Sequence, residues 1–214
     1  MFIQMILRGM GGISDDDARN IVRRDGILCN WWRSVHAITP AAVQQKLIER
    51  NLIWHLNHYN DIDPQTTLPF RENTPFISTT AGTVEIDHFN AQNLIFPPFL
   101  TALQFATNWF RQDGYLFYGY VFTLGKMSIE LQSFSEDVRD LHLYHMTYFP
   151  YHHEGEVLAK IHIPVINLQK VEKYDGPAAL IDFTNGIIPS PVWSETNPAY
   201  AEPDRFSNIR PFVL

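Results

Sequence analysis

Two carboxylates one residue apart, Glu154 and Glu156, stand in the stretch Tyr-His-His-Glu-Gly-Glu-Val that begins at Tyr151. Val157, Ala159, Ile161 and Ile163 then alternate with Leu158, Lys160 and His162 as in a buried strand, so the pair sits at a strand's mouth. Such a pair has two readings. It is a solvated turn leading into the strand, or its second glutamate points into a site and does chemistry there. Two further islands place reactive side chains at strand ends. Arg33 closes the apolar and aromatic run 27–33, and Ser78, Thr79 and Thr80 close a short run that starts at Pro75. Taken singly, an arginine at a strand end is most often a surface residue, and Ser-Thr-Thr is most often a turn or a helix cap.

The nine histidines raise the question of a metal. His55 and His58 are three apart, as are His142 and His145, and His152 and His153 are adjacent. Zinc needs three or four convergent ligands, and no His-Glu-x-x-His occurs, so no metal is expected. Cys29, in an apolar run, reads as a core thiol.

These residues need elements to hold them. The run 27–33 is expected as a strand. Thr39 and Pro40 form a helix start, followed by an apolar stripe at Val43, Leu47 and Ile48 that predicts one helix to about residue 53. Residues 59–74 are polar and predict a long loop. A second helix is expected over 97–110, with Phe99, Leu103, Ala106 and Phe110 on one face. A buried aromatic strand follows over 114–124, and 128–145 carries a weak helical signal. Two further strands, or one interrupted strand, are expected over 169–183. Residues 1–26 read as an N-terminal extension with a short helix after Ser14, and about 180–214 as an irregular C-terminal wrap. This order lacks the regular alternation of a doubly wound sheet and predicts an α+β domain with mostly antiparallel strands.

Composition narrows the class. The 45% hydrophobic and 18% charged residues of this 214-residue chain are those of a globular domain and not of a disordered one. A net charge of −7 argues against a protein that grips phosphate backbones. One cysteine rules out an internal disulfide framework. No stretch of about twenty apolar residues spans a membrane. The opening Met-Phe-Ile-Gln-Met-Ile-Leu lacks a preceding basic segment and is not read as a signal peptide.

Taken in order, the three islands resemble the mono-ADP-ribosyltransferases of the Arg–Ser–Glu class, the cholera- and pertussis-type enzymes. In that family an arginine lies on the first strand, Ser-Thr-Ser on a later one, and Gln/Glu-x-Glu at the start of another. The resemblance spans roughly residues 27–175. Thr80 stands where serine is common. Arg8, in Leu-Arg-Gly, is the main rival to Arg33 for the arginine role, with Arg23 and Arg24 behind it; the helix start at Pro40 favours Arg33.

The resemblance implies an ADP-ribosyltransferase-like fold, two packed and mostly antiparallel sheets with a cleft and flanking helices, and NAD as co-substrate. It implies Glu156 against the ribose, where positive charge develops as nicotinamide leaves. Arg33 would face the pyrophosphate or ribose, Ser78 would orient Glu156, and Thr79 and Thr80 would support the strands beside them. Phe89 and Tyr118 are candidates to stack on nicotinamide. Glu154, with Tyr151, would hold the acceptor. A glutamate there accompanies arginine modification, which favours a protein arginine as acceptor; a nucleic-acid base is the alternative, and a degenerate NAD- or partner-binding module is another. The family also implies a toxin or effector working in a cytosol, with an immunity or antitoxin partner.

Overall fold

The computed structural model describes residues 2–35, 38–87, 90, 92–123, 135–137, 152–204 and 208–213. The elements run β1 (Phe2–Gly11), α1 (Asp15–Asn20), β2 (Ile27–Leu28), α2 (Asn30–Ser34), α3 (Pro40–Lys46), α4 (Glu49–Asn57), β3 (Phe76–Thr80), β4 (Thr83–Asp87) and β5 (Gln92–Phe96). They continue with α5 (Pro98–Ala106), β6 (Gly114–Thr123), β7 (Ser135–Asp137), β8 (Glu156–Lys160), β9 (His162–Ile163), β10 (Leu168–Tyr174), α6 (Gly176–Thr184), β11 (Trp193–Thr196) and β12 (Ile209–Arg210).

The main sheet follows the order β11-β10-β6-β1-β3-β8-β7, with β12 beside β1. Neighbours in that path are antiparallel, and only β12 runs parallel to its partner. β1 and β6 pair over ten positions, whereas β1 and β3 pair at Leu7↔Thr80 alone. The two expected sheets are therefore halves of one hydrogen-bonded path, joined at a single position. β2–β9 and β4–β5 form separate two-stranded ribbons.

Alternation along β1 feeds two cores. Ile6 joins Val22, Phe117, Val157 and Leu168 on one side, and Leu7 joins Leu103, Leu116 and Tyr174 beneath α5 and α6 on the other. Emptying the fully buried Phe117 to alanine would cost about 3–5 kcal/mol. A smaller core joins Leu52 of α4 to Phe76 and Leu158, which clamps that helix over β3 and β8.

Several expectations change. Residues 2–11, expected within an extension, are a central strand; the short helix after Ser14 is present, capped by the Ser14 hydroxyl. The run 27–33 is a strand for two residues only, because the Cys29 sulfur caps α2 through Trp32 N–H and turns the chain into a helix that buries Trp31. The helix expected from Thr39 to about residue 53 is two helices. Its break leaves Leu47 packed against both the first core and the α4 core. Ala179–Phe183 is helical and not a strand, since Asp175 caps it and Pro177 fits its first turn. Ile161, at φ +65°, interrupts the strand after Glu156 and separates β8 from β9. The C-terminal wrap contributes β11 and β12. In 128–145 only Ser135–Asp137 is described, and it is a strand. No helix among the described residues is long and apolar enough to cross a membrane.

Candidate functional site

Arg8 follows Leu7, the position at which β1 meets β3. Its Nη1 donates to the Ser78 carbonyl oxygen at 2.7 Å, while its Nε is buried without a hydrogen-bond partner. Burial lowers the guanidinium's pKa from its ordinary value, and nearby Arg33 lowers it further. Tyr59 and Glu156 act in the opposite direction. A guanidinium stays protonated regardless, so the junction holds a half-buried cation with donor capacity to spare. The glycine after it has a physical reason: a Cβ on Gly9 would lie 2.1 Å from the Ala102 carbonyl oxygen, so α5 could not pack on β1.

The α4 helix brings His55 to the same place. Leu52 lies one turn earlier on the same helix face and is fully buried, which aims His55 inward. His55 Nδ1 lies 2.7 Å from Thr74 Oγ1, and Nε2 lies 2.8 Å from Ser78 Oγ. The Tyr59 and Phe76 rings hold the imidazole edge-on, with centroids at 5.2 and 5.6 Å. Thr74 Oγ1 already accepts from Phe76 N–H. The imidazole is thus held between two hydroxyls, those of Thr74 and Ser78. Glu156 Oε1 is 3.8 Å from the same Nε2.

Glu154 and Glu156 are set by the glycine between them. Gly155 has φ +61°, and a Cβ there would come within 2.4 Å of the Gly82 carbonyl carbon. The Gly155 carbonyl accepts from Ala81 N–H, and Thr80 Oγ1 donates to the Glu154 carbonyl at 2.6 Å. Thr79 Oγ1 donates to the Val157 carbonyl. Thr79 and Thr80 thus tie β3 to the turn that presents both carboxylates. Glu156 starts β8 opposite Thr80. Glu154 is half-buried and has no ion pair or side-chain hydrogen bond among the described residues. Burial, reinforced by the charge of Glu156, pushes its carboxyl up to about 7.

Arg33 sits on α2, not at the end of a strand, and its side chain is exposed. It nevertheless lines the same small cavity as Arg8, Cys29, His55, Tyr59 and Ser78. Tyr151 and Phe89 lie outside the described residues. Tyr118 belongs to the core beneath α5, where Lys170 lies 4.2 Å over its ring. Among the described residues no group of three or more His, Cys, Asp or Glu side chains is arranged to hold a metal. His58 pairs with Asp61 at 2.8 Å instead. A larger open concavity of about 410 Å³ lies past the end of β1, but its Lys173 is already paired with Asp15 and Asp113, at 3.0 and 3.4 Å. Sequence reasoning ranked Arg8 second and missed His55 and Tyr59 as site residues. The Leu-Arg-Gly wording and the three-residue spacing of Leu52 and His55 on α4 were the available signals; Tyr59 lies just past the end of that helix.

No protein-family model matches the chain, and no curated protein matches it in sequence. Among solved structures the chain is similar to EcPltA, with a TM-score of 0.50 and 15% identity over 98% of this chain and 93% of that one. A heat-labile enterotoxin gives a TM-score of 0.45 at 14% identity, over 96% of this chain and 68% of that one. The catalytic domain of the mosquitocidal toxin from Bacillus sphaericus gives 0.40 at 11%, over 96% and 64%. At these identities the likeness is one of fold: the chain has the mixed helix and antiparallel-sheet fold of the ADP-ribosyltransferases.

Proposed function

We propose that the chain is an NAD-dependent mono-ADP-ribosyltransferase whose acceptor is a protein arginine. The observation that carries this reading is the convergence of Arg8, Ser78, His55 and Glu156, from four elements, where β1 and β3 part. The arginine role expected for Arg33 passes to Arg8. Its buried, unpartnered Nε fits a negatively charged group, and its fork suits phosphate oxygens. Arg33, exposed beside the same cavity, is an outer cation for the same pyrophosphate.

NAD supplies the glycosidic bond that breaks, from the ribose anomeric carbon to the nicotinamide nitrogen. Glu156 faces the positive charge that the ribose acquires as nicotinamide departs with the bonding pair. His55, itself held by Thr74 and Ser78, lies beside Glu156, with Nε2 3.8 Å from Oε1, and helps to position it. An acceptor guanidine nitrogen then bonds to the anomeric carbon, and its proton passes to Glu154. A carboxylate whose pKa is raised to about 7 is a better base for that transfer than an ordinary one. Thr79 and Thr80 keep both glutamates in register.

A toxin or effector role in a target cytosol follows from the same reading, since unrestrained modification of its own proteins would harm the producer. An immunity or antitoxin partner is part of the proposal.

The test is nicotinamide release from NAD, followed by mass spectrometry of acceptors in a lysate. Glu156→Gln should abolish release. Release undiminished in that variant would overturn the reading, and labelled product sensitive to nuclease but not protease would move the acceptor to a nucleic-acid base.

A further inference from the structure

The β4–β5 ribbon has no part in the chemistry above, yet both of its strands are rooted beside the Glu154 turn at one end. Before β4, Gly82 meets Gly155 backbone to backbone, and Ala81 N–H donates to the Gly155 carbonyl. At the end of β5, opposite Thr83, the Phe96 ring lies 5.8 Å from the His153 ring. Among the described residues the two strands pair only with each other. Val84 and Ile95 are register partners, so their side chains lie side by side on one face, and they are 49% and 53% exposed. Leu94, on the other face, is also exposed. Single exposed apolar residues need no explanation, but a cross-strand apolar pair left this open on a two-stranded ribbon is surface that a partner can cover.

Charge selects the occupant. Residues 81–97 contain no lysine and no arginine. A nucleic acid lying along the ribbon would find no lysine or arginine in it for its phosphates. A protein that offers a basic side chain flanked by apolar surface would meet Glu154 with the one and the Val84–Ile95 pair with the other.

We propose that the β4–β5 ribbon is the docking element for the acceptor protein. It engages an apolar patch through Val84 and Ile95 and so delivers a neighbouring arginine to Glu154. The inference rests on the transferase reading and adds to it where the macromolecule is held.

The test separates docking from chemistry with two acceptors. Agmatine, a small guanidine, needs no docking surface; lysate protein does. In the combined variant Val84→Ser with Ile95→Ser, transfer from labelled NAD to protease-sensitive material should fall at least tenfold, with transfer to agmatine unchanged. Unchanged agmatine transfer also shows that the variant is folded. Parallel loss of both transfers would overturn the inference by making the ribbon part of the catalytic scaffold. Equal retention of both would overturn it by making the pair dispensable, and label removed by nuclease alone would overturn the protein acceptor. If the unsubstituted chain releases no nicotinamide at all, the transferase reading fails, and the inference falls with it.

Discussion

The His55 Nε2 atom lies 2.8 Å from the Ser78 hydroxyl, a contact between the middle of a helix and the middle of a strand 23 residues apart. Its other nitrogen is held by Thr74, so the ring spans two hydroxyls. On the transferase reading the imidazole, with Nε2 3.8 Å from Oε1, positions Glu156. Replacing it with alanine should lower kcat for nicotinamide release about a hundredfold, with a smaller change in KM for NAD. The buried Thr74 hydroxyl and the half-buried Ser78 hydroxyl would each lose a partner, at about 1–3 kcal/mol of stability. Ser78→Ala should fall in the same direction, and the double variant should lose less than the sum. Additive losses in kcat would mean that the two side chains act independently.

Arg8 and Arg33 share a cavity but not a setting. Arg8 is fixed by the Ser78 carbonyl and has a buried unpartnered Nε, whereas Arg33 is exposed on a five-residue helix. Arg8→Lys keeps the charge and loses the planar fork, so nicotinamide release should fall at least a hundredfold. Arg33→Ala should raise KM for NAD a few-fold and leave kcat within about twofold, since an exposed cation contributes through screened attraction. Steady-state kinetics of both variants, repeated at high salt, checks the division: the Arg33 effect should shrink as salt rises.

Much of this was legible in the chain. The Glu-x-Glu strand, the Ser-Thr-Thr strand, the helix over 98–106 and the aromatic strand over 114–123 all announce themselves by period and composition. Arg8 was harder, because its strand alternates poorly. β1 is covered on both faces, so Ile3, Gln4, Ile6 and Leu7 are all buried and the period-two signal fades. Pro40 drew attention to Arg33, but the helix start it marks follows α2 and not the central strand. His55 was invisible for a different reason. Its partners Thr74 and Ser78 come from distant positions, and a histidine three residues from another first suggests a metal. The β4–β5 ribbon lacked a recognisable turn signal between its strands.

Glu154 predicts a pH dependence with a definite sign. Its carboxyl is pushed from the ordinary 4.5 up to about 7, first by burial and then by Glu156. If it takes the acceptor's proton, transfer to agmatine should rise with pH through about 7. Glu154→Gln should abolish that limb and most of the transfer, yet leave NAD hydrolysis measurable. Stability runs the other way. Between about 4.5 and 7 the folded chain binds the proton that the unfolded chain has lost, so stability contributed by this group falls as pH rises and levels off above 7. Glu154→Gln should therefore raise Tm at pH 8 and change it little at pH 4. A variant less stable than the parent at pH 8 would contradict the burial-driven shift.

Gly155 ties both glutamates to one backbone geometry. Its φ of +61° is costly for any residue with a Cβ, and the added carbon would sit 2.4 Å from the Gly82 backbone, which cannot swing away like a side chain. Gly155→Ala should destabilise the chain by about 2 kcal/mol or more, read as a lower denaturant midpoint at unchanged m. It should also lower nicotinamide release and acceptor transfer together, because Glu156 and Glu154 move as one turn. Gly12, at φ +71° with open space within 4 Å of where a Cβ would stand, supplies the control: Gly12→Ala carries the backbone cost without the collision and should leave both activities near the parent's. Equal losses from the two alanines would show that left-handed strain alone, and not the meeting of Gly155 with Gly82, sets the geometry of the pair.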